Sequence, residues 1–150
     1  SLDGFIAGPN AIIELMVQRS RPQLFSNALP PAVVGGALAA LRTLEREPER
    51  VARLRENVAA LRSGLTAMGY KLIESVTAIV PVIVGDTAKA IRLAGEMLKH
   101  NVLITGFGFP VVPEGTARLR AQVSAVHTQE HLDTALAAFE ALRGQVVDAP

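Results

Sequence analysis

Two arginines, Arg118 and Arg120, carry the clearest chemical signal in the sequence. They stand two residues apart in the stretch ARLRAQVS, residues 117–124, in which apolar and polar residues alternate. In a β-strand this alternation turns the apolar side chains to the core and sets the two guanidinium groups about 7 Å apart on the other face. A guanidinium binds a carboxylate or a phosphate through two parallel hydrogen bonds. The pattern therefore indicates either an anion site or the solvated outer face of an antiparallel sheet.

Two neighbouring motifs are weaker candidates for sites. The stretch GFGFPV begins like a dinucleotide-binding loop, but its third glycine is missing and no helix begins after it. In HTQEH, His127 and His131 have a spacing that a zinc site on a helix uses, yet the glutamate is misplaced for a metalloprotease and His127 precedes the helix cap. We therefore expect capping and surface roles for the histidines, no metal site, and no catalytic triad within the chain.

Composition excludes several classes of partner. The 150 residues carry a net charge of +1 with acids and bases intermixed, and only 4% are aromatic, which argues against nucleic acid. The apolar runs are broken by Pro or Gly and are shorter than the ~20 residues of a membrane helix, so no membrane partner is expected. The absence of cysteine excludes disulfides and is consistent with a cytoplasmic location, which we expect.

The first third of the sequence predicts helices. A first helix follows Pro9 and ends near residue 20, and prolines make the connector 21–31 irregular. An Ala-rich helix then runs to about Arg46. Its Gly35 and Gly36 permit close packing, so we expect this helix to be buried.

From about residue 47 onward, helix and strand patterns alternate. The helix after Pro48 has one apolar stripe over almost five turns, and Pro81 in AIVPVIV indicates an edge strand or a bulge. Further strands are expected at 71–74, 102–107 and 117–124. Asp86 and Thr128 should each cap a helix, and the helix after Asp86 should turn four apolar residues inward: Ala90, Ile91, Ala94 and Leu98. The predicted fold is α/β: an α+β small domain with a small, mostly antiparallel sheet covered by helices.

Four stretches together resemble the C-terminal part of the α-oxoamine synthases: RSRPQLFSNALPPAVVGGALAAL, EPERVARLRENVAALRSGL, IVPVIVGD and TGFGFPVVPEGTARLRAQVSAVHT. The resemblance covers essentially the whole chain. These enzymes have the aspartate aminotransferase fold and use pyridoxal 5'-phosphate (PLP) to condense an amino acid with an acyl-CoA. The loop GFGFPVVPEG is most similar to the glycine C-acetyltransferase branch, whose substrates are glycine and acetyl-CoA.

The resemblance implies roles for particular residues. In the family, the second arginine of the RLR strand binds the substrate carboxylate, and that position is Arg120, with Arg118 in a supporting role. The FSNA connector of one subunit lies near the PLP phosphate of the partner subunit, which assigns phosphate contacts to Ser26 and Asn27 and implies a homodimer. Hydroxyl and amide donors suit a phosphate.

One feature departs from the family pattern. The family holds PLP as a Schiff base on a lysine before a GGFIAG-like strand, and neither Lys71, Lys89 nor Lys99 fits that position. We therefore expect a C-terminal fragment with no catalytic residue and no PLP of its own: residues 1–45 end a large PLP-binding domain, and 46–150 form the small domain. Two alternatives stay open, an 8-amino-7-oxononanoate synthase type of the same family and a non-catalytic α/β binding or oligomerisation module.

Overall fold

The structure is a computed structural model that describes residues 6–147. The chain divides into two compact units, of which the first ends at Glu47 and the second begins at Pro48. The first unit contains α1 (Asn10–Arg19), α2 (Arg21–Leu24) and α3 (Pro31–Arg46).

The first unit has no core of its own among its described residues. None of its three helices contains a buried residue. The expectation that α3 is buried is therefore wrong for this chain, and a Cβ added at Gly35 or Gly36 would meet nothing within 4 Å. Helices α1 and α3 nonetheless begin where the sequence predicts, at Asn10 after Pro9 and at Pro31, whose φ angle is preset for a helix and which lacks an N–H that would stay unpaired there. The short helix α2 lies within the connector that was predicted to be irregular.

The second unit is a three-stranded antiparallel sheet with three helices. The strand order is β1-β3-β2, and both pairs are antiparallel, which confirms the predicted fold class. The elements are α4 (Glu49–Ala67), β1 (Ile79–Gly85), α5 (Thr87–Lys99), β2 (Thr105–Phe107), β3 (Ala117–Gln122), α6 (Gln129–Leu142) and a 3-10 turn (Arg143–Gln145).

Strand β1 lies at the edge of the sheet, as its proline predicts. The Pro81 carbonyl accepts a hydrogen bond from the Ile73 N–H and so points away from β3. Because the N and O of one strand residue point to the same side, the missing N–H of Pro81 removes no bond between β1 and β3. The predicted strand at 71–74 is reduced to a single bridge between Leu72 and Val82.

One hydrophobic core joins the sheet to α4, α5 and α6. Leu65, Val82, Leu93, Met97 and Phe139 are almost completely buried in it. The predicted inward face of α5 is partly wrong: Ala90 is buried, but Ile91 and Leu98 are 60% and 58% exposed, and Leu93 and Met97 take the core positions instead.

Two of the three helices in the second unit, α5 and α6, begin at a side-chain cap, whereas α4 begins after Pro48 without one. Asp86 Oδ1 accepts the Lys89 N–H at 2.7 Å and caps α5, as predicted. Thr128 caps α6 in a reciprocal box with His131, whose Nδ1 accepts the Thr128 N–H at 3.2 Å. Within residues 6–147 no helix is long and apolar enough to cross a membrane.

Candidate functional site

Both arginines lie on the sheet face that the core leaves uncovered, here called the outer face. Residues directly opposite each other on neighbouring strands share a face. Arg120 lies opposite Pro81 on β1 and Thr105 on β2, and Arg118 lies opposite Ile83 and Phe107. The predicted alternation of β3 is confirmed, since Ala117 and Leu119 are buried on the other face. None of the four cross-strand neighbours carries a negative charge.

Arg118 is half-buried and its hydrogen bonds are made within its own strand end. Its Nε donates to the Thr116 carbonyl at 3.0 Å, and one terminal nitrogen donates to Thr116 Oγ1 at 3.2 Å. These two bonds hold the planar group against the residue two positions earlier. Arg118 therefore has fewer N–H donors left for a ligand than a free arginine has.

Arg120 is exposed and keeps its donors available. Its Cζ lies 4.5 Å from the centre of the Phe107 ring, a cation–π distance. With the residues that the structure describes, its guanidinium makes neither a hydrogen bond nor an ion pair. The five N–H groups can therefore bind a carboxylate in a bidentate manner.

The glycines of GFGFPV serve the packing of β2 on α5. A Cβ at Gly106 would lie 2.7 Å from the backbone oxygen of Ala90, and a Cβ at Gly108 would collide with the Thr87 side chain. Thr87 Oγ1 also accepts the Phe109 N–H at 3.1 Å. The two glycines thus let a strand carrying an aromatic residue approach the helix closely, a role that spacing within the motif does not reveal.

The two histidines line an apolar pocket at another place in the second unit. His127 Nδ1 accepts the Ser124 N–H at 3.3 Å, as His131 Nδ1 does for Thr128, and the ring centres are 6.0 Å apart. The pocket has a volume of about 540 Å³, and its apolar wall includes Leu132 and Phe139. Arg120 does not line it. In the described part of the chain, no group of three His, Asp or Glu residues could hold a metal ion.

Ser26 and Asn27 lie in the first unit, in the irregular segment between α2 and α3. Both are exposed, and neither side chain makes a hydrogen bond with a described residue. A hydroxyl and an amide with free N–H or O–H donors fit the chemistry of a phosphate group. These two side chains therefore fit the phosphate role that the family resemblance implies for them.

The three lysines lie on the second unit. Lys71 is exposed beside the Leu72 bridge, and Lys89 is half-buried on the first turn of α5. Lys99 forms an ion pair with Glu96 at 2.7 Å, and its hydrogen bond lowers the pKa of that carboxyl group. The Lys99 ammonium therefore has a structural partner on α5.

Curated relatives are similar in sequence to this chain over most of its length. It is 48% identical over 138 residues to the 8-amino-7-oxononanoate synthase of Symbiobacterium thermophilum, and 44% identical over 139 residues to the 8-amino-7-oxononanoate synthase/2-amino-3-ketobutyrate coenzyme A ligase of Thermus thermophilus. The matches cover 92% and 93% of this chain but 35% of each relative. The chain therefore spans about a third of the length of these relatives.

A solved structure supports the same assignment. A variant serine palmitoyltransferase from S. paucimobilis, with PLP bound as a myriocin aldimine, superposes on 89% of this chain and 34% of its own, with a TM-score of 0.78 and 34% identity. The two synthases and the palmitoyltransferase are enzymes of the α-oxoamine synthase type, so the predicted resemblance to that group is confirmed. The family profile described as aminotransferase class I and II matches residues 3–139. Because that match takes in most of the sequence, the chain belongs to the aminotransferase class I and II family.

Proposed function

We propose that this chain is part of a PLP-dependent acyltransferase that condenses an amino acid with an acyl-CoA, and that Arg120 binds the carboxylate of the amino acid. The observation that carries the proposal is the free guanidinium of Arg120 on the outer face of the sheet. No acidic side chain lies opposite it across the strands, and it forms no ion pair with a described residue. An anion supplied by a substrate would complete its hydrogen bonds.

A bidentate hold on the carboxylate fixes the orientation of the amino acid. Two parallel N–H···O bonds restrain both the position and the rotation of the bound group, so the bond from the carboxylate to the α-carbon takes one direction. Arg120 therefore acts by positioning. PLP, when bound, supplies the electron sink that stabilises negative charge at the α-carbon.

The magnitude of such a contact depends on its surroundings. An arginine–carboxylate pair in water contributes about 0–1 kcal/mol, whereas a charged hydrogen bond in a partly dehydrated site contributes about 1.5–3 kcal/mol. Because Arg120 is exposed in this chain, tight binding requires further walls that exclude water. We propose that other polypeptide of the enzyme supplies them, together with the lysine that carries PLP.

Ser26 and Asn27 are proposed as donors to the PLP phosphate of a partner subunit in a homodimer. Their exposure and their free hydroxyl and amide groups support this assignment. In the same proposal, residues 1–45 belong to the large PLP-binding domain and residues 46–150 form the small domain.

Glycine and acetyl-CoA are the proposed substrates. The similarity of the loop GFGFPVVPEG to the glycine C-acetyltransferase branch supports them, and relatives named 2-amino-3-ketobutyrate coenzyme A ligase match at 40 to 43% identity. The second candidate is 8-amino-7-oxononanoate synthesis, which is favoured by the name of the relative at 48% identity. Steady-state rates with purified protein and each acyl-CoA would separate the two.

The role of Arg120 is tested by comparing two alanine variants in the full-length enzyme. We expect Arg120→Ala to raise the KM for the amino acid about 10- to 100-fold, which corresponds to the loss of one charged, bidentate contact. Arg118→Ala is the matched control, because Arg118 bonds to Thr116, and a smaller increase is expected. Equal effects of the two variants would contradict the assignment of Arg120.

A further inference from the structure

We propose that Phe107 is a positioning residue for Arg120: its ring holds the guanidinium plane so that the free N–H groups face the carboxylate of the substrate. The inference rests on the proposed function of Arg120 and adds a residue to it. Phe107 was not singled out by the sequence motifs, since its ring meets Arg120 only through the pairing of β2 with β3.

Arg120 and Phe107 are in direct cation–π contact. The Arg120 Cζ lies 4.5 Å from the ring centre, within the range in which a cation is attracted to the negative face of an aromatic ring. A long arginine side chain on a sheet surface otherwise samples many rotamers. Since Arg120 makes no hydrogen bond or ion pair with a described residue, the ring is the contact that orients it in this part of the chain.

The Phe107 ring is carried by a strand that is held in place by α5. Phe107 is half-buried and its strand is clamped to α5 on both sides, by the close approach of Gly106 to the Ala90 carbonyl and by the hydrogen bond from the Phe109 N–H to Thr87. A ring whose strand is held by backbone contacts has a restricted position, and it restricts the cation in contact with it. Phe107 therefore restrains Arg120 better than a mobile surface ring would.

The neighbouring arginine, Arg118, does not compete with Arg120 for the Phe107 ring. Arg118 is the direct cross-strand partner of Phe107, and Arg120 is its diagonal neighbour. Arg118 is turned to Thr116 by two hydrogen bonds. The face of the ring is thus available to Arg120, and the two arginines have separate partners.

The test uses Phe107→Leu, Phe107→Tyr and the control Phe109→Leu in the full-length enzyme. Leucine removes the π face, tyrosine keeps it, and Phe109 is 64% exposed in the same segment. We expect Phe107→Leu to raise the KM for the amino acid roughly 3- to 30-fold, the range of one cation–π contact. The kcat and the KM for the acyl-CoA should stay within about twofold, and Phe107→Tyr and Phe109→Leu should resemble the parent enzyme.

A double-variant comparison separates positioning from a purely structural role. If Phe107 acts through Arg120, Phe107→Leu adds no further increase in KM to an Arg120→Ala enzyme, whereas independent effects multiply. The inference would be overturned if the increases in KM of the two single variants multiplied in the double variant, or if Phe107→Leu alone left the KM unchanged. If Phe107→Leu does not fold, Phe107→Met is carried through the same comparison. An unchanged KM in Arg120→Ala alone would overturn the proposed function instead.

Discussion

The two units of the chain differ in how each one is stabilised. All the buried hydrophobic side chains of the described residues lie in the second unit, between Leu61 and Leu142. In the first unit, Val34, Leu38, Leu41 and Leu44 on α3 are 39 to 47% exposed. Helices without a packed face depend on propensity and capping alone and are marginal in water. The second unit is therefore the stable body, whereas the first exposes apolar side chains along α3.

The same difference separates the two proposed sets of ligand contacts. Arg120 projects from a sheet whose other face is a closed core, so its position is defined by the fold of the second unit. Ser26 and Asn27 lie in an irregular segment of a unit with no buried residue in its helices. We expect the position of Arg120 to be set by the fold of the second unit, and the phosphate contacts of Ser26 and Asn27 to need order supplied by a partner subunit.

The largest effect is expected from a cavity in the core of the second unit. Phe139→Ala should lower the free energy of unfolding by about 3–5 kcal/mol, because Phe139 is 2% exposed and its removal leaves a void. Leu38→Ala on α3 is the control and should change it by about 0.5 kcal/mol or less. Urea denaturation followed by the fluorescence of Tyr70, the single tyrosine in a chain without tryptophan, reports on the second unit. Similar effects of both variants would break the comparison.

A pair of glycines tests the clamp between β2 and α5. Gly106→Ala should destabilise the second unit by about 1–3 kcal/mol, since its Cβ would meet the Ala90 carbonyl. A Cβ added at Gly95, on α5, would meet nothing within 4 Å. Gly95→Ala should therefore stabilise the second unit by about 0.5–1 kcal/mol. The sign of the two changes, measured by urea denaturation, is the discriminating result, and a stabilising Gly106→Ala would refute the clamp.

The buried hydroxyl of Tyr70 gives a smaller effect. It donates to the Phe139 carbonyl at 2.7 Å and the two rings meet edge to face at 5.3 Å. Tyr70→Phe keeps the ring and leaves the carbonyl without this donor, which should cost about 1 kcal/mol. Thermal unfolding followed by circular dichroism measures the change, and an unaltered midpoint would show that the bond contributes nothing.

The same hydroxyl makes stability depend on alkaline pH. Burial raises the pKa of Tyr70 from 10.0 to about 12. The folded state favours the neutral phenol of Tyr70. The contribution of Tyr70 to the free energy of unfolding is therefore complete below pH 10 and is lost as the pH rises towards 12. The decline in stability between pH 10 and 12 should be shallower in Tyr70→Phe than in the parent chain. Equal slopes in the two proteins would contradict this role of Tyr70.

Local sequence signals predicted much of the fold. Asp86 and Thr128 were identified as caps because their side chains act on backbone groups within three residues. The missing N–H of Pro81 indicated an edge strand or a bulge, and the alternation of β3 predicted the face of Arg120. Each of these predictions uses a signal that lies within a few neighbouring residues.

The features that were not predicted from the sequence depend on contacts between residues far apart in the chain. The inward face of α5 was misassigned because Ile91 and Leu98 fit an apolar stripe as well as Leu93 and Met97 do, and only the sheet decides between them. The cation–π contact between Arg120 and Phe107 depends on the register of β2 with β3, which no local pattern contains. The family assignment came from several motifs together, whereas the roles of Arg120, Ser26 and Asn27 stay predictions.

The most direct test of the account removes the carboxylate from the substrate and the guanidinium from the enzyme in one cycle. The ratio of kcat/KM for the amino acid to kcat/KM for its carboxamide is measured in the full-length enzyme and in Arg120→Ala. We expect Arg120→Ala to reduce this ratio about 10- to 100-fold, because the variant no longer distinguishes a carboxylate from an amide. An unchanged ratio would contradict the claim that Arg120 binds the substrate carboxylate.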